Sequence, residues 1–264
     1  MRAVDFAHIV LSASVAAALA ACSREAAPPS QPATVAQALS PYAMEQARQK
    51  AEQEARVNAE KARIAALPQP DPSTPDSAYV PITDGSQLMF LYAANSGLPP
   101  DYEQLATQYS RDYRETQDSF RKRDLLTALT PKIDMQIADA KVHPYLLWTD
   151  SSPDLGHYDF NRKGFPVNTA LLTDGGYGYI SSNGWGGNNQ LGFDNSSGYR
   201  FIPVADEAVA KEIEKLVGRY GKLSLKIHAF AHSTQDNNHA VMAHITKTQL
   251  IGPNEQVLAE VTAP

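Results

Sequence analysis

The chain has 264 residues, 43% of them hydrophobic and 20% charged, with a formal net charge of −6 and a single cysteine. The acidic balance argues against nucleic acid or an anionic lipid surface as the main partner. One cysteine excludes an intrachain disulfide, so the folded part must be held by its core alone.

Arg2 leads into a weakly apolar run from Ile9 to Leu19, followed by small residues and Cys22. The run is too short to span a bilayer as a mature helix and reads as a signal peptide over residues 1–21. Leu19-Ala20-Ala21-Cys22 resembles the lipobox of bacterial lipoproteins, a resemblance confined to residues 1–22. It implies cleavage before Cys22, a diacylglyceryl group on its sulfur and a third acyl chain on its amine. Each buried methylene is worth roughly 0.8 kcal/mol, so the membrane would be a partner through a permanent lipid anchor. Ser23, rather than Asp, implies delivery to the outer membrane, facing the periplasm. With Cys22 so consumed, the mature chain has no thiolate for a metal site or a nucleophile.

Residues 22–40 are rich in Pro, Ala, Ser and Gln and bury too little to fold, which predicts a flexible tether. Residues 41–67 change to Ala, Glu, Gln, Arg and Lys, and Ser40-Pro41 supplies a cap followed by proline, predicting a spacer helix of roughly 40 Å with a Glu52–Arg56 pair. Residues 68–76 form a Pro-rich linker. Residues 77–264 read as one folded unit.

In that unit, Leu88–Tyr92 fits a strand or a first helical turn equally. Asp101 caps a helix with Tyr102, Leu105, Ala106, Tyr109 and Tyr113 on one face. Asp118 starts another, burying Phe120, Leu125, Leu126 and Leu129, and Thr130-Pro131 reads as the start of a separate short helix ending near Ala140. Strands follow at 145–148, 156–160, 167–173 and 199–204, then a helix from Asp206 to about Gly218, two long strands at 222–232 and 239–251, and a last strand at 256–261. Helices first and strands later give an α+β fold with a mainly antiparallel sheet.

Two regions carry chemistry. Residues 174–198 hold eight glycines and four asparagines with several aromatics, a mixture for turns and short hairpins. Tyr177, Tyr179, Trp185 and Asn188 would suit a protein or glycan partner, since rigid aromatics beside amides favour stacking and hot spots; the alternative is Trp185 folded back as a plug. In the long strands, placing Leu223, Leu225, Ile227, Ala229, Ala231, Val241, Ala243 and Ile245 on the core face puts His228, His232 and His244 on the other. Those histidines are expected on a solvent face, with zinc or copper as the sharper alternative and pH response as a third. No carboxylate is evidently placed with them. His143 and His157 stand alone, and Asp150, Asp154 and Asp159 read as turn residues before glycosidase carboxylates. No nucleophile elbow, phosphate loop, dinucleotide fingerprint or zinc-protease helix is present. The functional expectation is a non-catalytic interaction module on a lipid anchor, without a cofactor beyond the covalent lipid. The alternatives are a metal-binding protein or hydrolase on the histidine face, and a structural spacer.

Overall fold

The computed structural model describes residues 41–173, 175–181, 188–235 and 239–262. The signal peptide, Cys22 and the tether lie outside them. The chain divides into two compact units, Met1–Val57 and Asn58–Pro264. The first contributes most of helix α1, Pro41–Ala65. Its surface is laced with i,i+4 pairs, Arg48–Glu52 at 2.9 Å and Lys50–Glu54 at 3.9 Å. Glu52 thus pairs with Arg48 rather than with Arg56. No helix among the described residues is long and apolar enough to cross a membrane.

The second unit is α+β. Its sheet has the order β1 (Val80–Pro81), β2 (Tyr145–Asp150), β7 (Ser224–Gln235), β8 (Ala240–Ile251), β5 (Asn188–Phe193) and β4 (Tyr177–Ser181), and β9 (Val257–Thr262) also pairs with β8. The β1/β2 and β5/β8 pairs are parallel and the rest antiparallel. β3 (Gly164–Pro166) and β6 (Phe201–Pro203) form a separate antiparallel pair. The helices are α2 (Gly85–Asn95), α3 (Tyr102–Tyr109), α4 (Arg111–Glu115), α5 (Ser119–Val142) and α6 (Glu207–Leu216).

The ambiguous run 88–92 is helical, for a reason visible in its burial. Leu88 and Leu91 enter the core of the sheet, while Met89 and Phe90 enter a second core with Leu105, Ala106, Tyr113 and Ile133. A helix buried on both sides is apolar all round and shows no stripe. Its start is local: Asp84 accepts from Ser86 N, and the Gln87 side chain returns to Asp84 N, a capping box.

The break expected at Thr130-Pro131 does not occur; α5 runs through it. Pro131 is exposed, Thr130 Oγ1 donates to Leu126 O at 2.9 Å, and Ile133 beyond it is fully buried. Packing of both halves against the second core outweighs the missing backbone donor. Phe120, expected inside, is 70% exposed in the first turn, with the Arg123 guanidinium 5.6 Å from its ring. The strands expected at 156–160 and 167–173 are instead a turn with isolated bridges and a 3-10 turn at Ala170–Leu172, leaving β3 between them.

The glycine-rich region does form a hairpin, β4–β5, and two of its glycines serve packing rather than turning. A Cβ on Gly178 would sit 2.7 Å from Trp148 Cη2 and 3.1 Å from Leu171 Cδ1, and one on Gly192 would meet the Tyr177 ring at 2.8 Å. Aromatic rings lie where these side chains are missing. Gly178→Ala is therefore expected to cost about 1–3 kcal/mol by overpacking. Gly198→Ala, with nothing within 4 Å of the new Cβ, should change stability by less than about 0.5 kcal/mol. Urea unfolding of the two variants checks the contrast.

Candidate functional site

The two regions singled out in the sequence meet on one side of β8. Along that edge, β5 pairs with residues Ala240 to Ala243, and β9 pairs from Lys247 onwards. Between them the backbone of Ile245 faces neither strand. Asn195 fills the gap: its Oδ1 accepts from Ile245 N at 2.8 Å and its Nδ2 donates to Ile245 O at 2.8 Å. A side-chain amide thus continues the ladder where the strand has ended. Tyr199 Oη, from a buried ring, donates to the same carbonyl at 2.9 Å. Burial, with Tyr79 nearby, pushes its hydroxyl up to about 12, so it remains a donor at neutral pH.

Asp194 sits between two histidines. His232 Nε2 lies 3.1 Å from its Oδ2, and His244 Nδ1 lies 3.0 Å from its Oδ1. The remaining nitrogen of His244, Nε2, is 3.1 Å from Asn195 Nδ2. Because Ile245 fixes which way the Asn195 amide faces, Nε2 is the acceptor and Nδ1 holds the proton given to Asp194. Burial pushes the Asp194 carboxyl up. The hydrogen bonds from His232 and His244 outweigh it and hold the group well below the usual carboxylate range.

The core-face assignment of the long strands is met: every residue of that set in β7 and β8, and Leu223, is buried. The opposite face is not the solvent face expected. His228 is 3% exposed and His232 is 8% exposed. Tyr79 stands edge-on to the His228 ring at 4.8 Å, and burial, then the charge of Lys247, lowers His228 from its ordinary value. The covering comes from the segment before β1, where Asp71 N donates to Tyr145 Oη at 2.8 Å and Asp76 pairs with Lys247. His232 lies where β7 bulges, between Ala231 and Ser233, and its Nε2 faces Asp194. A cleft of about 310 Å³ opens beside His244, lined by Pro70, Asp76, Tyr79, Lys247 and Glu260 among others.

A carboxylate does accompany the histidines, and the sequence reading missed it. Asp194 is 38 residues from His232, and nothing marks it beyond an Asp-Asn pair directly after a short apolar strand. His228 is not part of this cluster. Among the described residues, no group of three or more His, Cys, Asp and Glu is arranged to hold a metal ion. Both nitrogens of His244 and Nε2 of His232 are engaged within the fold, and Nδ1 of His232 is buried without a protein partner among the described residues. The arrangement is suited to joining β5, β7 and β8 through a proton-dependent polar clamp.

Of the aromatic set, Tyr177 is half-buried and its hydroxyl donates to Gln235 Oε1. Tyr179 and Asn188 lie in β4 and β5, opposite Gln190 and Ser181, with side chains outside the described atoms, and Trp185 lies outside the described residues. Asp150 and Asp159 serve as turn caps, for Ser152 N and for Asn161 N and Arg162 N.

Two acid limbs of stability follow. His228, lowered in the fold, binds fewer protons than in the unfolded chain, so stability falls as pH drops below about 6.5. Asp194, also lowered, contributes stability that is complete above about pH 5 and is lost as pH falls through about 4 and below. Urea midpoints measured from pH 8 to 3 should show the upper limb flattened in His228→Gln and the lower limb flattened in Asp194→Ala. Asn195→Ala, leaving the Ile245 amide unpaired, should cost about 1–3 kcal/mol at neutral pH.

Comparison of the chain with protein-family models, with curated proteins and with solved structures finds no match.

Proposed function

We propose that this chain is a lipid-anchored protein of the bacterial cell envelope, held through Cys22 and acting as a non-catalytic interaction module. Its contact region is the hairpin of residues 174–198, offered to an envelope protein or glycan. The observation that supports the reading is the anchoring of this hairpin at its base. Asp194 and Asn195 tie the end of β5 to His232, His244 and both backbone groups of Ile245. The paired strands that end at Ser181 and begin at Asn188 therefore have little freedom, and contact regions on rigid bases lose less entropy when a partner docks.

The anchor and the contact region are separately testable. Metabolic labelling with an alkyne fatty acid should mark the wild-type chain and not Cys22→Ser, and the labelled chain should fractionate with the outer membrane. A photo-reactive group at Trp185 in living cells should give a discrete protein or glycan adduct. Absence of any adduct, while a group at Gln49 on the spacer helix captures neighbours, would sink the hairpin as the contact surface.

A further inference from the structure

A second pocket, of about 320 Å³, lies between the turn at 157–163 and α6, with no residue of the histidine network in its walls. Tyr158, Phe160, Ala205 and Ala210 give it a largely hydrocarbon lining. Phe160 is 84% exposed, yet its ring is held edge-on to Tyr158 with centroids 5.1 Å apart. Tyr158 is itself fixed, its hydroxyl donating to Val204 O at 3.0 Å and its backbone N–H to Glu214 Oε2 at 3.0 Å. Small-molecule sites span roughly 300–1,000 Å³, so this one takes a ligand at the small end of the range.

The charges on its walls are unevenly satisfied. Glu214 accepts from His157 Nδ1 at 2.6 Å and from Tyr158 N, so both its oxygens are engaged, and Lys211 lies 3.6 Å from Glu207. Among the described residues, Lys163 has no carboxylate partner. Its backbone is also unusual, with φ of 55°, a conformation that glycine adopts freely and lysine does not. The turn imposes it: Lys163 N donates to Asp159 O at 2.7 Å, and Val204 N donates to Lys163 O at 2.9 Å. Lysine stands where glycine would relieve the strain, and its cation lies on the wall of an apolar pocket. Backbone strain of this kind gathers at ligand sites.

We propose that this pocket binds a small organic carboxylate, its hydrocarbon body between Tyr158, Phe160 and Ala205 and its carboxylate on the Lys163 ammonium. The inference does not depend on the hairpin or on the lipid anchor. The same chemistry is offered by a free carboxylic acid and by the C-terminus of a peptide ending in an apolar residue.

Calorimetry on the full-length protein in phosphatidylcholine nanodiscs, blanked against empty discs, tests it with 4-phenylbutyrate, the neutral 4-phenylbutan-1-ol, and acetyl-Ala-Phe as acid and as amide. Phenylbutyrate should bind saturably with a Kd on the order of 1 mM, and the alcohol about fivefold or more weakly. Tighter binding of the peptide acid than of phenylbutyrate would identify a C-terminus as the source, and the reverse a free acid. Lys163→Gly should raise Tm by about 2–3 °C while weakening phenylbutyrate about fivefold and leaving the alcohol unchanged. Ala205→Trp, which fills the pocket, should abolish binding of both. The proposal is overturned if phenylbutyrate shows no saturable binding up to about 20 mM, if Lys163→Gly binds it as well as the wild type, or if a folded Ala205→Trp still binds it.

Discussion

The pairing of β7 with β8 is the constraint on which the rest of the structure depends. Its register places Leu225, Ile227, Ala229 and Ala231 beside Leu250, Ile245 and Ala243 on one face, and a slip of one residue would turn one of these sets out of the core. Two irregularities interrupt the ladder, one between His228 and Ala229 and one between Ala231 and Ser233. The first leaves Thr246 outside the pairing, where its hydroxyl donates to His228 O and meets the Tyr79 hydroxyl at 2.8 Å. The second leaves His232 outside the pairing, with its Nε2 on Asp194. The bulges thus free polar residues from the ladder, while the regular stretches decide where the apolar core lies.

Two polar solutions make this ladder compatible with its neighbours. β8 is shared along one edge by β5, which runs parallel, and β9, which runs antiparallel, and neither covers Ile245. Asn195 closes that interval as a backbone would. Asp194, one residue before it, then lies where two imidazoles need an acceptor. The carboxylate is held in its charged form by hydrogen bonds from both imidazoles, so hairpin, ladder and the protonation state of Asp194 are coupled. On the other side of the sheet core, α2 has the corresponding role among apolar groups, filling both the sheet core and the helical core.

The functional surfaces differ in how they are held. The hairpin of the proposed contact region is secured at its base by hydrogen bonds to β7 and β8. The carboxylate pocket is secured by a turn whose lysine is forced into an unfavourable conformation and by a helix whose N-cap, Asp206, accepts from Ala208 N and Val209 N. The face around His228 is occupied by the protein's own segment around Asp71 to Tyr79. Occupation of that face explains why His228, which alternation in an antiparallel strand would place in solvent, is an interior group.

By itself, the sequence determined the features set by short-range physics. The caps at Asp101, Asp118 and Asp206, the helix from Pro41, and the alternating core faces of β7 and β8 all follow from helix and capping preferences and from periods of 3.6 and 2, which a few adjacent residues reveal. The helical state of 88–92, the passage of α5 through Pro131 and the burial of His228 were not legible. Each depends on what lies across the interface: a second core behind α2, apolar contacts on both sides of the proline, and a segment laid over the histidine face. The Asp194–His232–His244 cluster was legible only as separate parts. Its members come from strands joined by long-range pairing, and only tertiary structure decides which side chains share a hydrogen bond across 38 to 50 residues of chain.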